Sequence, residues 1–415
     1  MAIDFNPMTD IDCDDPFSVY RRLRDEAPVH WSAEADMFCV SRYSDVLNML
    51  RDDELFSSSG TLTVLLRNVE VPINFQYGLK LLRFLLKTRI SPFKIARTGN
   101  LITMDRPRHD VLRKIVGRGF TPRRIAEWEP RIRELVDERL VNLHNGERFD
   151  VVRDFATPLP TTIIAEMLGI EPSRRDDFKR WSRSIIEIAS GLSDIRNSDV
   201  MEHLGELFAY LQRIIRARRE QPRDDLISVL VDPRQEGVLD DELEVIQFVV
   251  LLLVAGNETT TNLIGNAVHA LIDRPDQIEL LIREPERIDN LVEEAVRFDA
   301  PLQFLFRSAT RDTEIAGVKI PKGSIVAAMV SSANRDERRF EDPDRFDMTR
   351  DTSGHLGFGF GIHFCLGAAL ARLESRVALG ALLPQLQGFV RVEKQPKRLE
   401  TFLLRGRARL ELEAA

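Results

Sequence analysis

Apolar and polar residues follow the period of amphipathic helices along most of this chain. Residues 16–26 and 43–51 show that period, and between them residues 29–31 and 37–40 are short apolar runs typical of strands around a polar turn. Thr121 followed by Pro122 supplies an N-cap and a first-turn proline, which predicts one helix from there through Val136. Helices are expected to dominate from this point to about residue 298.

A further strand pattern appears after Arg307. Residues 314–320 and 325–327 flank a Pro-Lys-Gly segment at 321–323, which predicts a hairpin turn. Residues 334–347 are polar and irregular. The predicted fold class is therefore mainly α with a small β region.

No linker, low-complexity tract or repeat period divides the sequence, so one large helix-rich domain over residues 1–415 is expected. Apolar residues make up 43% and charged residues 30%, the balance of a soluble globular protein with enough apolar material for a core. The net charge of -8 argues against general binding of nucleic acid. Three cysteines, Cys13, Cys39 and Cys365, form no disulfide framework and suit a reducing compartment.

The N-terminal residues lack both a basic region and an apolar region, so neither a signal peptide nor an anchor is expected. The longest apolar run, residues 248–255, is too short to span a bilayer, and no membrane span is predicted.

The longest predicted helix covers about residues 241–273 and is stopped by Pro275. Its middle contains Gly256, Glu258 and three consecutive threonines that begin at Thr259, which are poor choices inside a helix. Such local violations are typical of functional positions. The alternative is that the threonine hydroxyls only bond to carbonyls one turn earlier.

The loop at residues 358–367 carries the most specific chemistry. It reads Phe-Gly-Phe-Gly-Ile-His-Phe-Cys-Leu-Gly, and a helical pattern follows Gly367. Glycines permit close backbone approach, aromatic rings exclude water, and a helix N-terminus favours thiolate at Cys365. A purely structural cysteine is the alternative, whereas the glycine spacing does not fit a dinucleotide-binding loop. These residues suit a cysteine whose sulfur binds a large, flat group, most plainly the iron of haem.

The pattern Phe-x-x-Gly-x-His-x-Cys-x-Gly resembles the haem-binding loop of the cytochrome P450 monooxygenases, and the centre of the long helix resembles that family's oxygen-activating motif. The resemblance implies haem b (iron protoporphyrin IX) with Cys365 as its axial ligand. It also implies that Thr259 hydrogen-bonds bound dioxygen and that Glu258 takes part in proton delivery. Further contacts to the haem are implied for Phe358, Gly359, Gly367 and Ala255.

Cations that match the family's propionate-binding positions are His109, Arg113, Arg307 and His363. By itself the His109–Arg113 spacing of i, i+4 is most often that of a solvated surface pair. The resemblance further implies a buried structural trio of Glu294, Arg297 and Arg345 that braces the cysteine loop.

The resemblance implies a lid over the haem pocket, formed by about residues 61–103. Residues 61–100 carry seven basic side chains, Arg67, Lys80, Arg83, Lys87, Arg89, Lys94 and Arg97, against the single acid Glu70. An ordinary solvated lid is one interpretation; the other is that it receives an amphiphile with an anionic end, an acidic carrier protein or a membrane surface. Expected pocket walls, which indicate a lipophilic ligand, are Leu251, Ala255, Gln303 and Phe402.

Electrons must come from a separate protein, because no flavin or ferredoxin module fits in this chain. Arg118, Arg123 and Arg124 form a basic cluster that suits an acidic ferredoxin, or that is plain surface. The resemblance implies a cytoplasmic bacterial enzyme that uses O2, a ferredoxin-type partner and its reductase to hydroxylate a lipophilic molecule. The rival functions are a peroxide-driven peroxygenase and a non-catalytic haem sensor or carrier.

Overall fold

The computed structural model describes residues 3–10, 15–66, 75–91, 94, 98–145, 148–189, 199–232, 239, 241–399 and 401–415. Its α-helices are α1 Phe17–Glu26, α2 Tyr43–Arg51, α3 Gly60–Leu66, α4 Phe75–Thr88, α5 Arg108–Gly117, α6 Pro122–Ala126, α7 Glu129–Asn145, α8 Pro158–Met167, α9 Arg175–Ala189, α10 Val200–Glu220, α11 Leu226–Val231, α12 Glu242–Leu271, α13 Pro275–Arg283, α14 Ile288–Phe298, α15 Val330–Ala333 and α16 Ala368–Leu382. Its strands are β1 Val29–Ser32, β2 Met37–Val40, β3 Phe56–Ser57, β4 Arg148–Asp150, β5 Phe304–Ala309, β6 Thr313–Ile315, β7 Val318–Ile320, β8 Ile325–Met329, β9 Phe389–Arg391 and β10 Glu411–Ala414.

The chain forms two compact units. Unit 1 consists of residues 1–61, 125–159 and 259–415, and it contains every strand named above. Unit 2 consists of residues 62–124 and 160–258 and is built from helices.

The main sheet of unit 1 has five strands in the order β1-β2-β8-β5-β3. Strand β2 runs parallel to β8, with Phe38 opposite Val326, and the remaining neighbours are antiparallel. One face of this sheet packs on apolar residues of α2, including the fully buried Val46, and this packing fixes β5, the strand that carries Arg307.

The predicted hairpin at 321–323 is wrong. Strand β7 pairs with β6 around a turn at Ala316 and Gly317, both of which have positive φ, whereas β8 pairs with β2 and β5. The 321–323 turn therefore connects two different sheets. The apolar run at 325–327 predicted a strand correctly, whereas the segment at 314–320 is divided by the turn at Ala316 and Gly317 into β6 and β7. The pairing of β8 with β2 is set by contacts distant in sequence.

The single helix predicted from Pro122 through Val136 is also corrected, because the structure contains α6 and then α7 with a break between them. The Thr121 hydroxyl does accept a hydrogen bond from the backbone N–H of Arg124, at 3.4 Å, as expected of an N-cap.

The long helix α12 is confirmed within two residues of its predicted ends. Among the described residues it is long and apolar enough, by length and composition, to cross a membrane. Core helices of globular proteins meet the same criterion. The polar side chain of Asn266 on α12 is buried and donates to the carbonyls of Asp299 and Arg405, at 3.0 and 2.9 Å, as expected of a helix inside a protein core.

Candidate active site

The cysteine loop is held by its own backbone. The N–H of Cys365 donates to the carbonyl of Phe358 at 2.9 Å, and α16 begins three residues after the cysteine. Gly359 and Gly361 both have φ of +72°, a conformation that favours glycine. At Gly361 an added Cβ would lie 2.7 Å from the carbonyl oxygen of Leu50, so a side chain there would push the loop off α2. The glycines therefore determine where Cys365 is presented.

The described residues cover the surroundings of Cys365 only in part. Cys365 is half-buried, and the ring of Phe364 remains 39% exposed although it is apolar. A Cβ added at Gly367 would meet nothing within 4 Å. Phe358 packs against Phe364 at 6.3 Å between ring centroids and lies under the Arg372 guanidinium at 4.4 Å. A sulfur beside open, partly apolar space is the donor arrangement that a haem requires.

A buried ion pair braces the segment before this loop. Glu294 and Arg297 are fully buried and form a bidentate pair at 2.7 and 2.8 Å. Arg297 also donates to the carbonyl of Asn334 at 2.8 Å, and the Asn334 side-chain oxygen accepts from the N–H of Leu356 at 2.7 Å. The pair is thereby connected to the backbone that leads into the cysteine loop.

The third member of the predicted trio is corrected by the structure. The side chain of Arg345 is 63% exposed and pairs with Asp347 at 3.5 Å. Arg350, which is 11% exposed, donates instead to Glu294 at 3.3 Å. Arg345 contributes its carbonyl oxygen, which accepts from Arg350 at 3.0 Å. Arg350 was missed because it lies just beyond the irregular segment of residues 334–347 in which the arginine was sought.

Two of the predicted propionate-binding cations flank the same segment of unit 1. Arg307 is buried on β5, where the carbonyl of the preceding Phe306 accepts a hydrogen bond from Thr61 at 3.0 Å. His363 forms a hydrogen bond with the Ser58 hydroxyl at 2.8 Å between Nε2 and Oγ. Residues 57–61 therefore lie beside both side chains, and Ser58 was missed because serine has no distinctive spacing.

The other two cations lie in unit 2 on α5, with the predicted i, i+4 spacing. His109 is buried, and its Nδ1 lies 3.0 Å from Oδ1 of the exposed Asp110. That contact lowers the pKa of the Asp110 carboxyl. Arg113 is half-buried. Burial of His109 does not fit the solvated surface pair that the spacing also allowed.

The centre of α12 combines tight packing with an accessible stripe. At Gly256 an added Cβ would lie 2.9 Å from the Ile164 side chain, and Asn257 accepts a hydrogen bond from Thr161 at 2.7 Å. Ala255 is exposed, and Glu258 and Thr259 are half-buried, although they follow the apolar run of residues 248–254. Helical spacing puts these three on adjacent positions of one stripe. An acid and an alcohol are therefore adjacent on a partly accessible stripe of α12.

Three of the four predicted pocket walls are accessible. Leu251 is half-buried one turn before Ala255, and Phe402 is half-buried 6.2 Å from the Phe306 ring. Gln303 is corrected: its side chain is 2% exposed, and its amide oxygen accepts a hydrogen bond from the Tyr20 hydroxyl at 3.2 Å. It contributes to the core of unit 1 and not to a cavity wall.

The predicted lid is described in part. Helix α4 exposes the apolar side chains of Leu79, Leu82 and Leu86 on one face, at helical spacing. Lys80, Arg83 and Lys87 each follow one of these leucines in the sequence. Arg67, Glu70 and Arg97, together with Cys13, lie outside the described residues.

A charged cluster beside the cysteine loop was missed by the sequence analysis. Glu293 accepts hydrogen bonds from Arg372 at 2.5 and 2.9 Å and lies 2.8 Å from Nε2 of His355. Burial opposes its ionisation, but these two partners lower the pKa of Glu293 to about 2. Arg372 also lies over the Phe358 ring. The one available signal was an arginine two helical turns after Cys365.

Comparison with known proteins agrees with this architecture. The Cytochrome P450 family model matches residues 85–413. The vitamin D(3) 25-hydroxylase of Pseudonocardia autotrophica is 38% identical over 95% of this chain and 93% of its own length. The erythromycin C-12 hydroxylase of Saccharopolyspora erythraea is 38% identical over 92% of this chain and 89% of its own. The structure of cytochrome P450 CYP109Q5 from Chondromyces apiculatus superposes with a TM-score of 0.84, 38% identity and coverage of 97% and 95% of the two chains.

The predicted family and fold class are both confirmed by these matches. Members of this family carry a haem-thiolate cofactor, bind lipophilic substrates and O2, and take electrons from redox partners. Because the family model and the relatives each cover most of its length, this chain belongs to the cytochrome P450 family of monooxygenases.

Proposed function

We propose that this enzyme hydroxylates a lipophilic small organic molecule, using O2 and electrons from a separate ferredoxin-type protein and its reductase. The observation that carries the proposal is the half-buried Cys365, fixed by a backbone hydrogen bond beside open space at Gly367. A monooxygenase of this kind needs a thiolate donor that faces a site large enough for haem.

Cys365 would hold the haem iron, and the residues around the sulfur fit that group. Bound haem supplies oxygen activation, for which a thiolate ligand favours O–O cleavage by pushing electron density onto iron. The ring of Phe358, with Gly359, Gly367 and Ala255, would lie against the macrocycle. Donors for its two carboxylates would be His109, Arg113, Arg307 and His363.

Thr259 and Glu258 would deliver protons. O–O cleavage consumes protons, and the site must otherwise exclude water. The Glu258 carboxyl can release a proton and regain it from solvent, and the Thr259 hydroxyl can accept that proton and donate its own. Their accessibility on an apolar helix supports this relay.

The substrate would lie against Leu251, Ala255 and Phe402, which are the accessible apolar residues among the predicted walls. Vitamin D(3) and erythromycin, named for two relatives, are large and lipophilic, which supports a substrate of that class. The exposed leucines and flanking cations of α4 support entry of an amphiphile with an anionic end.

Electron delivery would use a basic surface. Arg123 is exposed. Arg124 is 3.6 Å from the fully exposed Asp224, and such an exposed ion pair contributes little to stability and leaves both groups accessible to a partner protein. Arg118 is half-buried nearby in sequence. An acidic ferredoxin would be steered toward such cations. The bacterial origin of the relatives supports a cytoplasmic location.

Isotope labelling tests the reaction class. The holoenzyme, reconstituted with a surrogate ferredoxin and reductase, is supplied with lipophilic substrates such as vitamin D(3) under 18O2. One labelled oxygen atom per hydroxylated product is expected. Product that forms only with added peroxide would support the peroxygenase, and haem-loaded protein that oxidises no substrate with either oxidant would support the sensor or carrier.

A further inference from the structure

Unit 2 contains a cavity of about 330 Å³ that the proposed oxygen chemistry does not use. Its walls come from α4, from α9 and the turn before it, and from α10. The side chains that define its character are Lys87, Arg174, Arg180, Trp181, Tyr210 and Arg213. Apart from Lys87, which also flanks an exposed leucine of the lid, none of them is among the residues assigned to haem, oxygen or the substrate.

Cations outnumber carboxylates in this cavity. Asp177 pairs with both Arg174 and Arg180, at 2.7 and 3.1 Å. Glu206 pairs with Arg180 at 2.8 Å and with Lys87 at 3.9 Å.

Arg213 is a fourth cation, so four positive groups share two carboxylates. Burial opposes ionisation of Glu206, but hydrogen bonds from Trp181 and Arg180 lower its pKa, and the carboxylate is therefore charged. Glu171 lies near the Tyr210 hydroxyl, and counting it still leaves the cations in excess.

The cations are held in place by aromatic rings. Arg174 lies over both Trp181 and Tyr210, at 5.7 and 5.6 Å from the ring centroids, and Arg213 lies over Tyr210 at 5.2 Å. The indole N–H of the buried Trp181 donates to Glu206 at 2.8 Å. Stacked guanidinium groups lose little further freedom when they bind a ligand. The cavity is therefore positively charged and preorganised.

We propose that this cavity binds a small organic anion, that is, a carboxylate, sulfonate or phosphate group on a compact flat body. The excess cations would receive the anionic group, and the guanidinium planes of Arg174 and Arg213, backed by the buried rings, would cover the flat body. A volume of about 330 Å³ is at the lower end of small-molecule sites, which span about 300–1,000 Å³, so the ligand is small. The side chains of Arg180 and Lys87 are about half exposed, which leaves the cavity open to solvent.

Calorimetric titration of the holoenzyme tests this site. The probes are 2-naphthoate, the neutral 2-naphthol and inorganic phosphate, and the Soret band is recorded in parallel. We expect naphthoate to bind at least about tenfold more tightly than either of the other two, because only it supplies both the charge and the flat body. We also expect the Soret band to stay unchanged, which separates this cavity from the haem site.

Two helix positions one turn apart provide the matched variants. Arg213→Gln should weaken naphthoate binding by about tenfold. Arg216→Gln, which removes an exposed arginine paired with Glu242 outside the cavity, should leave the affinity within about twofold. If Arg213→Gln unfolds at a lower temperature than the parent protein, Arg180→Gln is used as the second cavity variant.

The proposal would be wrong if naphthoate and naphthol bound with equal affinity. It would also be wrong if Arg213→Gln and Arg216→Gln lowered the naphthoate affinity equally. If phosphate bound as tightly as naphthoate, the inference that the ligand has a flat organic body would be wrong. Since none of these readouts requires turnover, they succeed or fail independently of the monooxygenase proposal.

Discussion

Thr259 is the residue on which the proton relay depends. It is half-buried beside Glu258, in a helix whose preceding segment, residues 248–254, is apolar. Its hydroxyl can both accept and donate a proton, whereas a methyl group can do neither.

Thr259→Ala should reduce the ratio of product formed to reduced nicotinamide consumed by about tenfold, because one hydrogen bond of about 1 to 1.5 kcal/mol is lost. Thr259→Ser retains a hydroxyl and should stay close to the parent. The ratio is measured with the reconstituted electron partner. An alanine variant that matches the parent in turnover and in this ratio would favour the peroxygenase or the sensor.

Glu374 on α16 is a buried acid to which the reaction assigns no role. It is 1% exposed, and among the residues that the structure describes neither of its carboxyl oxygens has a hydrogen-bond partner. Burial raises its pKa to about 8 from an ordinary value of 4.5. The folded protein therefore keeps Glu374 neutral over a pH range in which the unfolded chain ionises it.

From this difference we expect stability to fall as the pH rises from about 4.5 to about 8, by roughly 3 kcal/mol at pH 7. Glu374→Gln should remove that part of the pH dependence, as measured by urea unfolding at several pH values. The exposed Glu314→Gln is the matched control and should leave the dependence as it is. If stability varies with pH in Glu374→Gln as it does in the parent, the Glu374 carboxyl is ionised in the folded protein.

At the scale of elements, two arginines that look alike in sequence, Arg345 and Arg350, differ in their contacts with the buried Glu294–Arg297 pair. Arg350→Ala should destabilise the protein by about 1.5 to 3 kcal/mol and lower its haem content, because Glu294 loses a charged donor. Arg345→Ala removes an exposed pair and should cost less than about 0.5 kcal/mol. Thermal unfolding and the haem-to-protein ratio measure both effects. A larger loss of stability and haem with Arg345→Ala than with Arg350→Ala would show that Arg345 is the third member of the trio.

Elements defined by local sequence were the predictable ones. The period of α12 and the N-cap at Thr121 can be read without knowing the fold, and the structure contains both. Strand β8 pairs with β2, which is distant in sequence, and not with the strand just before the 321–323 turn, so that turn was misinterpreted as a hairpin. Gln303 was misassigned for the same reason, since its partner Tyr20 is distant in sequence.

Across the whole molecule, the family could be predicted because its motifs are short and carry fixed chemistry. The glycine-framed cysteine and the acid-alcohol pair are each contiguous in sequence. The cluster of Glu293, His355 and Arg372 and the cationic cavity of unit 2 arise from residues that only folding brings together. No spacing rule marks such groups, so they could be found only in the structure.

Ligation of haem iron by Cys365 is the central claim, and the carbon monoxide difference spectrum of the dithionite-reduced protein tests it most directly. We predict a strongly red-shifted Soret band in the haem-loaded protein, which reports a thiolate ligand, and loss of that band in Cys365→Ser. A Soret band at the position typical of histidine ligation, in folded and haem-loaded parent protein, would contradict the account.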